Sequence, residues 1–144
     1  MILSSKTAAV SLTFDPVAAI DTDLLILPVF DGDTLEDVPS LDTASGGQIR
    51  KALSSGELRG RPYEYFVTPL SDWKASRVAL VGAGKREEFS TERLRKVATV
   101  AALGARARRV RRIAWLIRGE IPAAPAVQAS AEGLGLAAFS IDRY

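Results

Sequence analysis

The sequence predicts an α/β fold in which a mixed β-sheet carries helices on both faces, giving three layers. Segments of strand length alternate along the 144 residues with segments whose apolar side chains recur at helical spacing. Residues 23–30 and 112–118 are almost continuously apolar, which is typical of strands covered on both faces. Residues 63–70 and 76–82 are separated by a short turn, so we expect them to form an antiparallel pair.

Two segments near the beginning of the chain predict strands. Residues 8–14 alternate between apolar and polar side chains, and Asp15 with Pro16 ends the pattern. Residues 23–30 contain Pro28, which has no N–H for a ladder hydrogen bond. We therefore expect Pro28 at an edge of the sheet or at a bulge.

Three segments predict helices. Residues 47–54 predict a short helix that ends near Gly56. The most clearly marked helix begins after Ser90, a good N-cap residue, with Phe89 placed for a hydrophobic staple. The side chains that recur at helical spacing in this helix are Leu94, Val97, Ala98, Ala101 and Ala105. The alanine-rich residues 123–139 predict the last helix.

The net charge of +2 hides an asymmetry along the chain. Eight acidic residues and no basic ones lie between Lys6 and Arg50, whereas 18 basic residues face 9 acidic ones from Arg50 onward. Either the two regions attract each other or a neighbouring subunit, or the basic region contacts nucleic acid.

The composition excludes several kinds of site. The chain has no cysteine and no histidine, which excludes disulfides, zinc–thiolate sites and histidine-based nucleophilic catalysis. The first residues lack the pattern of a signal peptide, and no apolar run approaches the ~20 residues of a membrane span. We expect a cytoplasmic domain with no membrane partner.

A glycine-rich turn follows the strand predicted at 76–82. Gly82, Gly84, Lys85 and Arg86 could form an anion site, since glycine lets the backbone approach a phosphate and the two cations attract it. The dinucleotide and Walker patterns are both incomplete, and the acidic side chains that follow at 87 and 88 would repel a phosphate. A purely structural turn is the alternative.

A cluster of arginines follows the predicted central helix. Clustered guanidinium groups bind phosphates, so the cluster is a candidate nucleic-acid contact. The alternative is a set of cations that favours the negative end of the helix dipole. The residues concerned are Arg106, Arg108, Arg109, Arg111 and Arg112.

The acidic segment after residue 30 is a weaker candidate. Asp31, Asp33, Glu36 and Asp37 could resemble a site for a hard metal ion, but their spacing lacks the register of a calcium loop. The segment therefore predicts a solvated acidic loop.

Several segments together resemble one family. They are "DLLILPVF", "LDTASGGQIRKALSSGELRGRPYEYFVTPL", "SRVALVGAGKREEFSTERLRKVATVAA" and the ending "AEGLGLAAFSIDRY". In this order they are similar to the N-terminal domain of the leucyl aminopeptidases, the cytosol aminopeptidases of peptidase family M17. The resemblance covers nearly the whole chain.

The resemblance implies a noncatalytic domain, similar in fold to macro domains, in which the glycine-rich turn is structural. The family's catalytic domain holds two divalent metals, zinc or manganese, and releases N-terminal residues from peptides. The resemblance therefore implies no metal ligand and no catalytic residue in this chain. Members assemble as hexamers, so a role in assembly or regulation is implied, and some bacterial members bind DNA. Because a fold alone does not carry a function, a free-standing macro-like module for ADP-ribose or another anion is the alternative.

The apolar end of the sequence indicates that the last helix packs against a further domain. We expect residues 1–144 to form a single noncatalytic domain, with about 123–144 leading into a catalytic domain that follows. On this interpretation the last helix once packed against that domain and leaves an apolar patch. The apolar residues concerned are Leu134, Leu136, Phe139 and Ile141.

Overall fold

The structure is a computed structural model, and the residues it describes are 1–6 and 9–136. The strands are β1 (Ile2–Lys6), β2 (Ala9–Thr13), β3 (Leu24–Phe30), β4 (Tyr65–Pro69), β5 (Arg77–Gly84) and β6 (Ile113–Leu116). The helices are α1 (Leu41–Ala44), α2 (Gln48–Ser55), α3 (Thr91–Ala107) and α4 (Ala123–Leu136). Short 3-10 turns occupy Val17–Ala19 and Arg86–Glu88.

The six strands form one mixed sheet in the order β2-β1-β6-β3-β5-β4. β3 is parallel to both β5 and β6, while the pairs β1–β2, β1–β6 and β4–β5 are antiparallel. The predicted antiparallel pair and the interior position of β6 are therefore confirmed. β1 and the short helix α1 were not predicted.

Pro28 lies in an interior strand, so the expected edge position is wrong. β3 is flanked by β5 and β6, but β6 pairs only with the stretch from Leu24 to Ile26. β6 therefore does not extend as far as Pro28, and the missing N–H of Pro28 costs no ladder hydrogen bond on that side. An irregularity in the β3–β5 register follows between Val29 and Phe30, close to the expected bulge.

Helices cover both faces of the sheet, which confirms the three-layer fold. Leu24 and Ile26 of β3 point into the core under α3 and α4, and Leu25 and Leu27 point into the core under α1 and α2. This alternation explains why the strand is apolar at nearly every position. On the α4 side, the buried indole Nε1 of Trp115 donates a hydrogen bond to Ser130 Oγ at 3.0 Å.

The two predicted helix boundaries that could be read from capping residues are confirmed. Ser90 Oγ accepts a hydrogen bond of 3.2 Å from the Arg93 N–H at the start of α3. α2 ends at Ser55 and is capped by Gly56, whose φ of +77° suits glycine. The buried face of α3 contains all of the side chains predicted for it: Leu94, Val97, Ala98, Ala101 and Ala105.

The last helix packs against α3 within the same domain. Leu134 is only 3% exposed and belongs to the core under α3 and α4, so the expectation that it forms part of an exposed apolar patch is wrong. The predicted patch residues Phe139 and Ile141, and the side chain of Leu136, lie outside the described part of the chain. Among the described residues, no helix is both long enough and apolar enough to cross a membrane.

The glycine-rich turn at the end of β5 is closely packed against the segment before β4. Gly82 donates a hydrogen bond to the Glu64 carbonyl and accepts one from the Tyr63 N–H, both at 2.8 Å. A Cβ on Gly82 would overlap the carbonyl oxygen of Arg61. Glycine is therefore required at 82 by the close approach of another backbone segment.

We expect Gly82→Ala to lower the free energy of unfolding by about 2–3 kcal/mol, because the backbone around Arg61 must move. Gly32→Ala is the matched control: no atom lies within 4 Å of the added Cβ, and only the φ of +71° is unfavourable. The free energy of unfolding of Gly32→Ala should fall by about 1 kcal/mol. Urea denaturation of both variants tests this, and equal losses would contradict the packing argument.

Candidate functional site

The most highly connected polar group in the structure is the guanidinium of Arg118. Arg118 lies two residues after β6, and its side chain is 2% exposed. It donates two hydrogen bonds to Asp33 (2.7 and 3.0 Å), two to Asp37 (2.7 and 3.0 Å) and one of 2.6 Å to the Pro28 carbonyl. A guanidinium has five N–H donors, so every donor of Arg118 has an acceptor.

Asp33 is held from the backbone as well as by Arg118. Its carboxylate accepts hydrogen bonds from the N–H groups of Phe30 (3.1 Å) and Leu35 (2.9 Å). Burial raises the pKa of Asp33, but the hydrogen bonds from Arg118, Leu35 and Phe30 outweigh it and hold the pKa below 3.8. The hydrogen bond from Arg118 likewise lowers the pKa of the more exposed Asp37.

Arg118 itself is stabilised in the charged form. Burial alone would lower the pKa of its guanidinium, but hydrogen bonds and charge attraction from Asp37 and Asp33 raise it. Both partners of the Arg118–Asp33 pair are therefore ionised at neutral pH. A group so arranged neutralises charge and fixes two loops. The Asp33 carboxylate accepts four hydrogen bonds, from Arg118, Phe30 and Leu35, so it is not free to bind a metal ion or to accept a proton from a substrate.

An aromatic pair extends this cluster to the surface. The ring of Phe30 lies 4.9 Å from that of Phe89, edge to face, and the guanidinium of Arg86 lies 4.3 Å from the Phe30 centroid. Arg86 also donates to Glu120 at 3.3 Å. Arg86, one of the four candidate anion-site residues, is thus already engaged by an aromatic ring and a carboxylate.

The other candidate anion-site residues occupy the same turn but offer few free donors. The N–H of Gly82 bonds to Glu64, and the N–H of Gly84 bonds to the Gly60 carbonyl at 2.8 Å. Lys85 is exposed beside the 3-10 turn that follows. Since the glycine N–H groups are used within the fold, an anion here would depend on the Lys85 side chain. The anion site stays a prediction.

The five arginines of the second candidate cluster differ in their surroundings. The guanidinium of Arg108 lies 4.7 Å from the ring of Tyr65, and Arg112 pairs with Asp23 at 3.2 Å and with Asp21 at 3.5 Å. Within residues 1–6 and 9–136 no ion pair engages the three that remain. They are exposed at the end of α3 and in the loop before β6: Arg106, Arg109 and Arg111.

The acidic segment is not simply solvated, which corrects the expectation for Asp33 and Asp37. Asp31 and Glu36 are exposed, whereas the Asp33 side chain is 2% exposed and the Asp37 side chain, although 59% exposed, pairs with Arg118. In the described ranges no group of three or more acidic residues is placed to hold a metal ion. A signal was present in the sequence: Arg118 directly follows one buried strand, and the acids follow another. Parallel strands end at the same edge of a sheet.

The pKa values give an acid dependence of stability. Because the folded pKa of Asp33 lies below 3.8, its ionised form stabilises the fold above that pH. This stabilisation is lost as the pH falls through the folded pKa. We expect the free energy of unfolding to be level near neutral pH and to fall below about pH 4.

Arg118→Met should lower the free energy of unfolding by about 3 kcal/mol at neutral pH, because Asp33 stays buried without its cation. The acid dependence should become shallower, since protonation of Asp33 then relieves an unpaired charge. Denaturant titrations from neutral to acid pH measure both effects. Asp31→Asn, on an exposed carboxylate nearby, is the control and should keep the original profile. An unchanged acid profile in Arg118→Met would disprove the assignment.

Comparison with known proteins identifies the family. Residues 26–144 match the profile of the cytosol aminopeptidase family, N-terminal domain. The chain is 31% identical over 130 residues to a probable cytosol aminopeptidase of Solibacter usitatus, covering 90% of this chain and 25% of the relative. It is 34% identical over 128 residues to one of Thermosynechococcus vestitus, covering 85% and 26%. The chain thus spans about a quarter of the length of these relatives.

Solved structures show the same fold. A mutant of tomato leucine aminopeptidase superposes with a TM-score of 0.70 at 22% identity, over 86% of this chain and 26% of that one. The bottromycin maturation enzyme BotP in complex with Mn superposes with a TM-score of 0.55 at 17% identity, over 85% and 24%. The sequence match and the shared fold agree, and the chain belongs to the cytosol aminopeptidase family, of which it forms the N-terminal domain.

Proposed function

We propose that this chain is the noncatalytic N-terminal domain of a metal-dependent aminopeptidase that releases N-terminal residues from peptides in the cytoplasm. The observation that carries the proposal is the family match over residues 26–144, in a chain a quarter as long as its relatives. On this proposal two divalent metals, zinc or manganese, are bound by the remainder of the parent protein, which supplies the activated water.

The chemistry of this chain supports a noncatalytic role. The sequence lacks histidine and cysteine, so a general base or nucleophile would have to be a carboxylate, lysine or hydroxyl. The most buried carboxylate, that of Asp33, is fixed by Arg118 and by two backbone N–H groups.

For the domain itself we propose a role in assembly or regulation, with the parent's catalytic domain and further copies, up to a hexamer, as partners. A three-layer domain with two well-packed cores is a rigid body that can hold such contacts at a fixed geometry. Rigid presentation is what an assembly interface requires, because ordering a mobile surface on binding costs free energy.

The proposal predicts a difference between the isolated chain and its parent. The purified 144-residue chain should not hydrolyse leucine p-nitroanilide, with or without added Mn²⁺ or Zn²⁺. The parent protein that contains this chain should hydrolyse it and should lose activity on treatment with a chelator. Metal-dependent turnover by the isolated chain at a rate comparable to that of the parent would refute the noncatalytic assignment.

A nucleic-acid contact is a second candidate function, favoured by one observation. Arg106, Arg109 and Arg111 are exposed, and none of them is engaged in an ion pair within the described part of the chain. Exposed, unpaired guanidinium groups can release counterions from a nucleic-acid backbone, which gives salt-sensitive affinity without base specificity.

The double variant Arg109→Glu and Arg111→Glu should weaken binding to a random-sequence DNA duplex at least tenfold and reduce the salt dependence of the affinity. The double reversal Lys51→Glu and Lys74→Glu, at two exposed lysines outside the cluster, changes the net charge by the same amount and should have little effect. Fluorescence anisotropy at several salt concentrations measures both. Equal weakening by the two charge reversals would indicate a general charge effect and exclude a contact by this cluster.

A further inference from the structure

The outer edge of β4 carries peptide groups that the fold does not use. β4 is the last strand of the sheet and pairs only with β5. The Glu64 carbonyl accepts from the Gly82 N–H, and the Leu70 N–H donates to the Ser76 carbonyl, so even-numbered residues turn towards β5. Because peptide groups alternate along a strand, those of Tyr65, Val67 and Pro69 face outward.

These outward groups are the hydrogen-bond donors and acceptors that β4 offers to a seventh strand added beside it. Tyr65 and Val67 each offer an N–H and a carbonyl, while Pro69 offers a carbonyl only. Among the described residues none bonds to these groups. Pro69 therefore limits the pairing to the first part of the strand, where an added segment receives two N–H donors from the edge.

An apolar surface of α3 lies beside this edge. The Tyr65 ring packs over Gly104, and its hydroxyl donates to the Ala101 carbonyl at 3.0 Å. Val100 lies one helical turn before Gly104, and the neighbouring Leu103 is 49% exposed. Alternate side chains of a strand added to β4 would cover this surface, as the side chains of Tyr65 and Val67 cover the core beside it.

The edge is also positively charged near its beginning. The guanidinium of Arg108 lies 4.7 Å from the Tyr65 ring, and that of Arg93 lies 6.0 Å from the ring of Tyr63. A groove of about 490 Å³ opens beside Tyr63 and is lined further by Arg95, Lys96, Thr99 and Val100, of which Arg95 pairs with Glu132 at 3.6 Å. Neither Arg93 nor Arg108 pairs with a carboxylate of the described residues, whereas Lys96 pairs with Glu92 at 3.2 Å.

We propose that the β4 edge and the adjoining face of α3 bind an extended acidic segment of a separate partner protein, which adds to the sheet as a seventh strand. Backbone hydrogen bonds to Tyr65 and Val67 would supply affinity, as in other cases of strand addition. Apolar side chains of the partner lie over Val100 and Leu103. Acidic side chains beside them face Arg93 and Arg108, and the same charges disfavour pairing of this edge with a second copy of itself.

Hydrogen exchange in the parent protein provides the first test. The amides of Tyr65 and Val67 should exchange much faster than those of Phe66 and Thr68, which face β5. The probe is the blocked peptide Glu-Val-Thr-Val-Thr-Val-Glu, and saturation with it should slow exchange at Tyr65 and Val67 at least tenfold. Unchanged exchange at these two amides in the presence of bound peptide would overturn the proposal.

Two variants and a control separate edge pairing from general attraction. Val67→Pro removes an outward N–H without removing a bond to β5, so the protein should fold and bind the peptide at least tenfold more weakly. Arg108→Glu should weaken binding at least threefold, and more at low salt than at high salt. Lys51→Glu, remote from β4, should bind normally. Equal affinity for the peptide with lysine in place of glutamate would refute the acidic assignment.

The oligomeric state decides between a partner and a second copy. Hydrogen exchange of the protein without peptide, measured at several concentrations whose association state is followed by sedimentation, should show no concentration-dependent protection of the Tyr65 and Val67 amides. Protection that appears with self-association, and is abolished by Val67→Pro, would show that a second copy occupies the edge and would overturn the proposal of a separate partner.

Discussion

One buried cation organises the carboxyl-terminal edge of the sheet. The guanidinium of Arg118 joins the end of β6 to the loop that follows β3, through Asp33, Asp37 and the Pro28 carbonyl. Without it the buried Asp33 carboxylate and the Pro28 carbonyl would lose a charged partner, and the more exposed Asp37 would lose its two hydrogen bonds from Arg118. The same cation fixes Asp33, which in turn holds the backbone of Phe30 and Leu35. The path of the acidic loop, and the position of the aromatic pair beneath Arg86, follow from this single residue.

This edge is where α/β proteins commonly bind ligands, because loops from parallel strands converge there. In this chain the converging polar groups satisfy one another. The charge asymmetry of the sequence has the same explanation, since arginines from the basic region pair with acids from the first third of the chain: Arg50 with Asp42, Arg112 with Asp21 and Asp23, and Arg118 with Asp33 and Asp37. These polar side chains are already paired with one another, which fits a domain that makes up about a quarter of the length of its relatives.

Local patterns predicted much of the fold. Continuous apolar strands and a capped helix are encoded within a few residues, which is why β3, β6 and α3 were predicted correctly. β1 was not predicted because only its first two residues are apolar, and the polar run Ser4, Ser5 and Lys6 follows them. The edge position expected for Pro28 failed because a short neighbouring strand, β6, ends before it. The Arg118 cluster was missed because its partners lie more than eighty residues apart in sequence, and a charge pattern alone does not specify which pairs meet.

The position of β6 also constrains biosynthesis. Residues 2–4 of β1 pair with residues 114–116 of β6, and β6 lies between β1 and β3. At ~5–20 residues per second, a ribosome needs roughly 6–23 s to pass from β1 to the end of that strand. During this interval the amino-terminal hairpin has no place to dock, and one side of β3 is an open, apolar strand edge of the kind that associates with other chains. The nascent domain is therefore most exposed to chaperones and to misassembly just before its central strand emerges.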